Sequence, residues 1–128
     1  MDFDIENKTC SFCGTRGTPD MRFAGGLGAM MCVPCVEFYY EIFSSREKTD
    51  AVRRPPWEVM TDTELLSKLP LIARNAEQVD EFLTEWVELI RSRGVSWAAI
   101  GKAMGTSRQA AWERFAQRVE RLRAHRMA

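Results

Sequence analysis

The 128-residue chain reads as a mainly α-helical protein with a small four-cysteine module at its front. Three observations predict this. The four cysteines form two C-x-x-C pairs, Cys10/Cys13 and Cys32/Cys35, all within the first third. From Thr61 onward apolar residues recur at the spacing of an amphipathic helix. Near the basic end, a glycine-containing turn separates two short helical segments.

The length suits one ordinary domain or two small ones. A hydrophobic content of 45% and a charged content of 28% belong to a soluble globular protein. No apolar run approaches the roughly 18 residues that a membrane span needs. The N-terminus is acidic rather than basic-then-apolar, so no secretory signal and a cytoplasmic location are expected. Net charge is zero, yet it is divided along the chain. Residues 1–90 carry 9 Lys+Arg against 16 Asp+Glu, and residues 91–128 carry 9 against 2, a local balance of +7. Such an end seeks an anionic partner. The alternative is two oppositely charged faces that attract each other within one fold.

In a cytosolic chain, stable disulfides are disfavoured. Two C-x-x-C pairs separated by a loop are the ligand set of a structural zinc site, one Zn2+ per chain. Two residues between ligands let both sulfurs of a knuckle face one tetrahedral cation while the turn's amides point at the thiolates. Gly14 follows Cys13 directly, where the knuckle's exit wants a residue that tolerates positive φ. Four thiolates close the coordination sphere and leave no position for a catalytic water. Iron or a thioredoxin-like pair are the other readings, but no βαβ pattern surrounds either pair.

The segment CSFCGTRGTPDMRFAGGLGAMMCVPCVEFYYEIF resembles the zinc-binding domain of the unfoldase ClpX. The resemblance rests on C-S-F-C-G, a spacer with a turn at Ala24, Gly25 and Gly26, and C-x-x-C-V leading into a helix. It implies a treble-clef-like zinc fold that dimerises and docks partners, with Cys10, Cys13, Cys32 and Cys35 as ligands. The phosphate-cradling G-x-x-x-x-G-K-[ST] loop of the ATPase occurs nowhere in the chain. The helix after the second knuckle carries Val36, Phe38, Tyr39, Tyr40, Ile42 and Phe43, apolar around most of its circumference. A module spanning 1–45 has little core to cover that surface. Phe38, Tyr39, Tyr40 and Phe43 are therefore read as a homodimer or protein-partner interface. The alternative is packing of this helix on the chain's own second domain.

Residues 46–60 mix charges with the Pro55–Pro56 pair and read as a linker, in which Arg53 and Arg54 are solvated charge or phosphate contacts. The remaining domain is expected over 61–128. Thr61 and Glu64 form a capping box that opens a helix from Asp62 to Leu69, stopped by Pro70. Asn75 and Gln78 cap a second helix, whose stripe Val79, Phe82, Leu83, Trp86, Val87 and Ile90 is core. Glu81, Glu85 and Glu88 lie away from that stripe, and Gly94 ends the helix.

Ser96 then caps a short helix through Met104, with Ile100 and Met104 at buried spacing. Gly101 permits close approach of the next helix, and Gly105 supplies the left-handed residue of the turn. Thr106 or Ser107 caps a third helix, with Gln109 completing a box with Thr106. Ala111 and Phe115 repeat the buried spacing and leave Arg108, Gln109, Trp112 and Arg114 for the other faces. Two short helices joined by such a turn, the second rich in long donors, form a helix-turn-helix.

The stretch over roughly 79–118 resembles region 4 of sigma factors, in which I-x-x-x-x-G-x-S precedes the reading helix. Trp112 departs from that pattern, which usually places a polar residue there. It either flanks DNA or covers the core. Arg108 suits guanine O6/N7 and Gln109 suits adenine N6/N7. Lys102, Ser107, Arg114 and Arg118 suit phosphates. His125 belongs to the solvated tail.

These features point to sequence-specific binding of double-stranded DNA and regulation of transcription, with pairing through the zinc module. A protein-binding adaptor of the Clp protease system or of RNA polymerase is the alternative. An enzyme is not expected, since no histidine stands near a nucleophile and no nucleotide loop or open metal site is present.

Overall fold

The computed structural model describes residues 7–51 and 56–127. Arg53, Arg54 and Pro55 lie outside the described residues. The order is β1 (Phe23–Gly25), β2 (Met30–Cys32), α1 (Val33–Phe43), α2 (Arg46–Ala51), a 3-10 turn (Pro56–Val59), α3 (Asp62–Ser92), α4 (Trp97–Ala103) and α5 (Arg108–Met127). This is the expected combination of a small cysteine module and a helical domain. The chain divides into two compact units, residues 1–79 and 80–128. The division falls inside α3, not in the 46–60 stretch.

In the first unit, a knuckle at Cys10–Cys13 precedes an antiparallel β1–β2 hairpin, which leads directly into α1. Phe23 stands opposite Cys32, Ala24 opposite Met31 and Gly25 opposite Met30. Gly26 N donates to Ala29 O at 2.9 Å to close the turn. Two bonds tie the knuckle to β2: Ser11 N donates to Met30 O at 2.7 Å, and Met30 N donates to Ser11 Oγ at 3.0 Å. Cys32 is the extended N-cap residue of α1, and Pro34 sits in its first turn, where a missing N–H costs nothing. The second cysteine pair thus rides on a helix start, in the treble-clef order of knuckle, hairpin and helix.

The stretch expected as a linker contains α2 and the 3-10 turn. Ser45 Oγ caps α2 by accepting from Lys48 N at 3.1 Å. Thr61 opens α3 as expected, its hydroxyl accepting from Glu64 N at 3.2 Å.

Pro70 does not stop the helix; α3 runs through it for 31 residues. A proline inside a helix forfeits one backbone bond and costs about 3 kcal/mol or more. The offset lies in what α3 grips within the same unit. A Cβ built on Gly14 would stand 2.9 Å from both Leu71 methyls, so Leu71 covers the knuckle. Asn75 and Gln78 are consequently interior residues, not caps. Asn75 Nδ2 donates to Ser11 O at 3.2 Å. Gln78, only 1% exposed, accepts from Thr9 N at 2.7 Å and donates to Thr9 O at 2.9 Å. Its side-chain amide replaces a strand partner for that residue, leaving neither backbone group unsatisfied.

The second unit packs α4 and α5 with the later turns of α3. Val87, Ile100, Ala111, Phe115 and Val119 are its buried cluster, flanked by Leu83, Ile90, Val95, Trp97 and Met104. Most of the α3 stripe is core as expected, but Val79 is 50% and Trp86 41% exposed. Glu88, expected to face away, is buried and paired with Arg126. Asp80 pairs with Arg118 at the same 38-residue separation. That constant offset makes α3 and α5 run parallel along this seam.

The α4–turn–α5 segment follows the sequence closely. Ser96 Oγ accepts from Ala99 N at 3.1 Å, and Gly105 has φ of 71°. Ser107 caps α5, accepting from Ala110 N at 3.0 Å. The expected Thr106–Gln109 box is not formed; Gln109 Nε2 instead donates to Glu113 Oε1 at 3.1 Å, one turn along its own helix. Gly101 has no room for a side chain, since a Cβ there would lie 2.7 Å from Ser107 O. Gly101→Ala is expected to destabilise the C-terminal helices by about 1–3 kcal/mol through overpacking against rigid backbone. Gly105→Ala meets nothing within 4 Å and should cost only the left-handed backbone, about 1–2 kcal/mol. Urea unfolding followed by far-ultraviolet dichroism measures both.

Candidate metal centre and nucleic-acid interface

The knuckle and the start of α1 bring all four sulfurs together, each within 4.8 Å of every other. Cys10 and Cys35 Sγ are 3.8 Å apart, and Cys13 and Cys32 Sγ 3.7 Å. A disulfide needs about 2.05 Å, so these thiols are unbridged. A tetrahedral zinc with Zn–S of about 2.3 Å sets its sulfurs about 3.8 Å apart, which these two edges match. Phe12 N and Cys32 N point at Cys10 Sγ from 3.4 and 3.3 Å, as amides stabilising a thiolate should. The four cysteines are thus arranged to hold a metal ion, and set and spacing suit a structural zinc.

The thiols do not share one environment. Burial opposes ionisation of Cys13, but hydrogen bonds from the Thr15 hydroxyl and backbone, with those from Cys35 and Cys10, outweigh it and hold the pKa at about 6. Burial pushes the Cys32 thiol up against hydrogen bonds from Cys35 that lower it, and burial also pushes Cys35 up, there with Cys32, Cys13 and Cys10 adding to the rise. A coordinated cation would override these differences, since a metal-bound thiol is deprotonated outright.

The predicted interface residues sit on the outside of the same unit. Phe38, Tyr40 and Phe43 are 60%, 76% and 67% exposed. Tyr39 is half-buried at the centre of the group, edge-on to Phe12 and Phe38 and stacked on Phe43. Phe12, which sequence reasoning passed over as a knuckle residue, extends this aromatic surface.

In the second unit, Arg108 and Gln109 open α5 and face solvent, and Lys102 is exposed on α4. Lys102 and Arg108 have no acidic partner among the described residues. Ser107 spends its hydroxyl oxygen on capping. Trp112 is 50% exposed and so is not core. It borders an open groove with Arg91, Trp97, Ala116 and Arg123, and the Arg91 guanidinium lies 4.9 Å from the Trp97 ring centre. The spacing of Trp112, Ala116, Val119 and Arg123 was the available signal for that groove. Arg114 and Arg118, read as phosphate contacts, both stand beside Asp80. With Arg126 on Glu88, part of the basic excess is neutralised inside the fold, as the attracting-faces alternative requires.

No family model matches the chain, and no solved structure does. It is 35% identical over 75 residues to an uncharacterized protein of Mycobacterium bovis (strain ATCC BAA-935 / AF2122/97). The same identity and length hold for uncharacterized proteins of Mycobacterium tuberculosis strains CDC 1551 / Oshkosh and ATCC 25618 / H37Rv. The matched stretch is 58% of this chain, and it spans only 29% of the length of these curated relatives. Among the described residues, no helix is long and apolar enough to cross a membrane.

The apolar residues buried in the cysteine module, Cys10, Met30 and Cys32, include two ligands. Burial of Met30 contributes about 1.5–3 kcal/mol, whereas a structural zinc contributes on the order of 10 kcal/mol. Cys13→Ser is therefore expected to release the metal and unfold the module while the signal of the C-terminal helices persists. Elemental analysis and dichroism test this; a metal-free but folded wild-type module would contradict it.

Proposed function

We propose that this protein is a cytoplasmic, sequence-specific DNA-binding regulator of transcription, in which a structural zinc organises the N-terminal module and α5 reads the duplex. The observation that carries the reading is the chemistry at the α4–α5 turn. Lys102 and Arg108 have no acidic partner there among the described residues, and Gln109 and Trp112 are exposed on the first turns of α5. A helix entering the major groove by its N-terminal turns presents those positions to base edges. The buried Ala111 and Phe115 hold it from behind.

The two kinds of contact should fail differently. Arg108→Ala is expected to cost about 1–3 kcal/mol on the preferred site and to relax its base preference. Lys102→Ala should weaken all sequences alike and lower the salt slope by roughly one unit. Site selection from random DNA supplies the preferred duplex, and titration of both duplex types across salt concentrations reads the difference. Arg108→Ala binding specific and random duplex as wild type does would remove α5 as the reader.

Pairing through the zinc module would place two such helices on two half-sites. The exposed aromatic group around Tyr39 supports this, and it equally favours the second reading, an adaptor of the Clp protease system or RNA polymerase. A Phe38→Ser/Tyr40→Ser variant should sediment as a monomer and the full chain as a dimer at micromolar concentration. A monomeric full chain would favour the adaptor.

A further inference from the structure

Arg114 and Arg118 lie one turn apart on α5, so their side chains emerge on one side of the helix. One carboxylate draws both. Asp80 Oδ1 lies 3.7 Å from Arg114 Nη2, and Asp80 Oδ2 accepts from Arg118 Nη1. The three side chains remain 43–48% exposed. The other rung of the seam differs, for the Glu88 side chain is only 12% exposed against Arg126. An exposed pair is weak and can exchange its carboxylate for a competing anion. A phosphodiester offers a guanidinium the same charge and paired acceptors.

We infer that Asp80 acts as an internal phosphate mimic, holding Arg114 and Arg118 back from nucleic-acid phosphates and so limiting sequence-independent binding. The inference rests on the DNA-binding reading above and names how that site is restrained. Phosphate contacts strengthen binding to every sequence alike, so charge left free at α5's side would favour non-specific DNA. Charge without an acidic partner among the described residues stays instead at Lys102 and Arg108, beside the turns proposed to read bases. Asp80 is thus a positioning residue that acts through the two arginines.

The full chain, Asp80→Asn, Arg118→Ala and the double variant are titrated against a labelled random-sequence duplex across a salt series, with thermal melts alongside. Asp80→Asn is expected to bind about tenfold tighter at low salt, with a slope steeper by about one to two units. Arg118→Ala alone should leave the slope unchanged, but in the Asp80→Asn background it should remove about one unit. If Arg118→Ala by itself lowers the slope by a full unit, Arg118 already meets phosphate and the inference fails. That measurement stands even where Asp80→Asn melts early. Unchanged binding by a folded Asp80→Asn protein overturns the inference and leaves the DNA reading intact. Absence of salt-dependent binding in every protein, the parent included, overturns both.

Discussion

Four sulfurs stand in the N-terminal unit where another small domain would have apolar side chains. Their mutual spacing follows from the knuckle at Cys10–Cys13 and from the cap position of Cys32, which turns Cys35 inward one helical turn later. The hairpin exists to deliver those positions, and its bonds between Ser11 and Met30 keep the two pairs in register. Two of the four cysteines, Cys10 and Cys32, are among the few buried residues of the module, and α1 has no buried residue of its own. Its aromatics therefore remain on the outside. An exposed face of that composition is what a small module with few buried apolar residues leaves uncovered.

The length of α3 follows from the same module. A proline at its ninth residue would ordinarily end it, and propensity alone favours a break. The side-chain amides of Asn75 and Gln78 instead satisfy backbone groups at Ser11 and Thr9. Breaking the helix would orphan those groups, each a loss of about 1–3 kcal/mol. Several such terms together exceed the cost of one missing helical bond.

Charge has a double use in the second unit. The seam between α3 and α5 takes up Arg114, Arg118 and Arg126, while Lys102 and Arg108, on either side of the α4–α5 turn, have no acidic partner among the described residues. A basic stretch is thus not uniformly a binding surface. Part of it supports the packing of α5 on α3, and what remains marks one end of α5. That distribution makes the proposed reader a tip rather than a whole helix face.

Features governed by a few neighbouring residues were legible from the sequence alone. The two C-x-x-C pairs, the positive φ at Gly14 and Gly105, the Ser96 cap, the contact at Gly101 and the buried Ile100, Ala111 and Phe115 all depend on local spacing. Each lies where short-range sterics leave little choice. Tertiary structure decided what depends on residues far apart in the chain. Gln78 reads as a cap until Thr9, 69 residues away, is placed against it. Pro70 reads as a stop until the knuckle rests on Leu71. Glu88 reads as lying away from the core stripe until Arg126, 38 residues later, arrives beside it. Val79 and Trp86 read as core by period, yet both are exposed. A helical period states which residues share a face; only the packed neighbours determine how much of that face is buried.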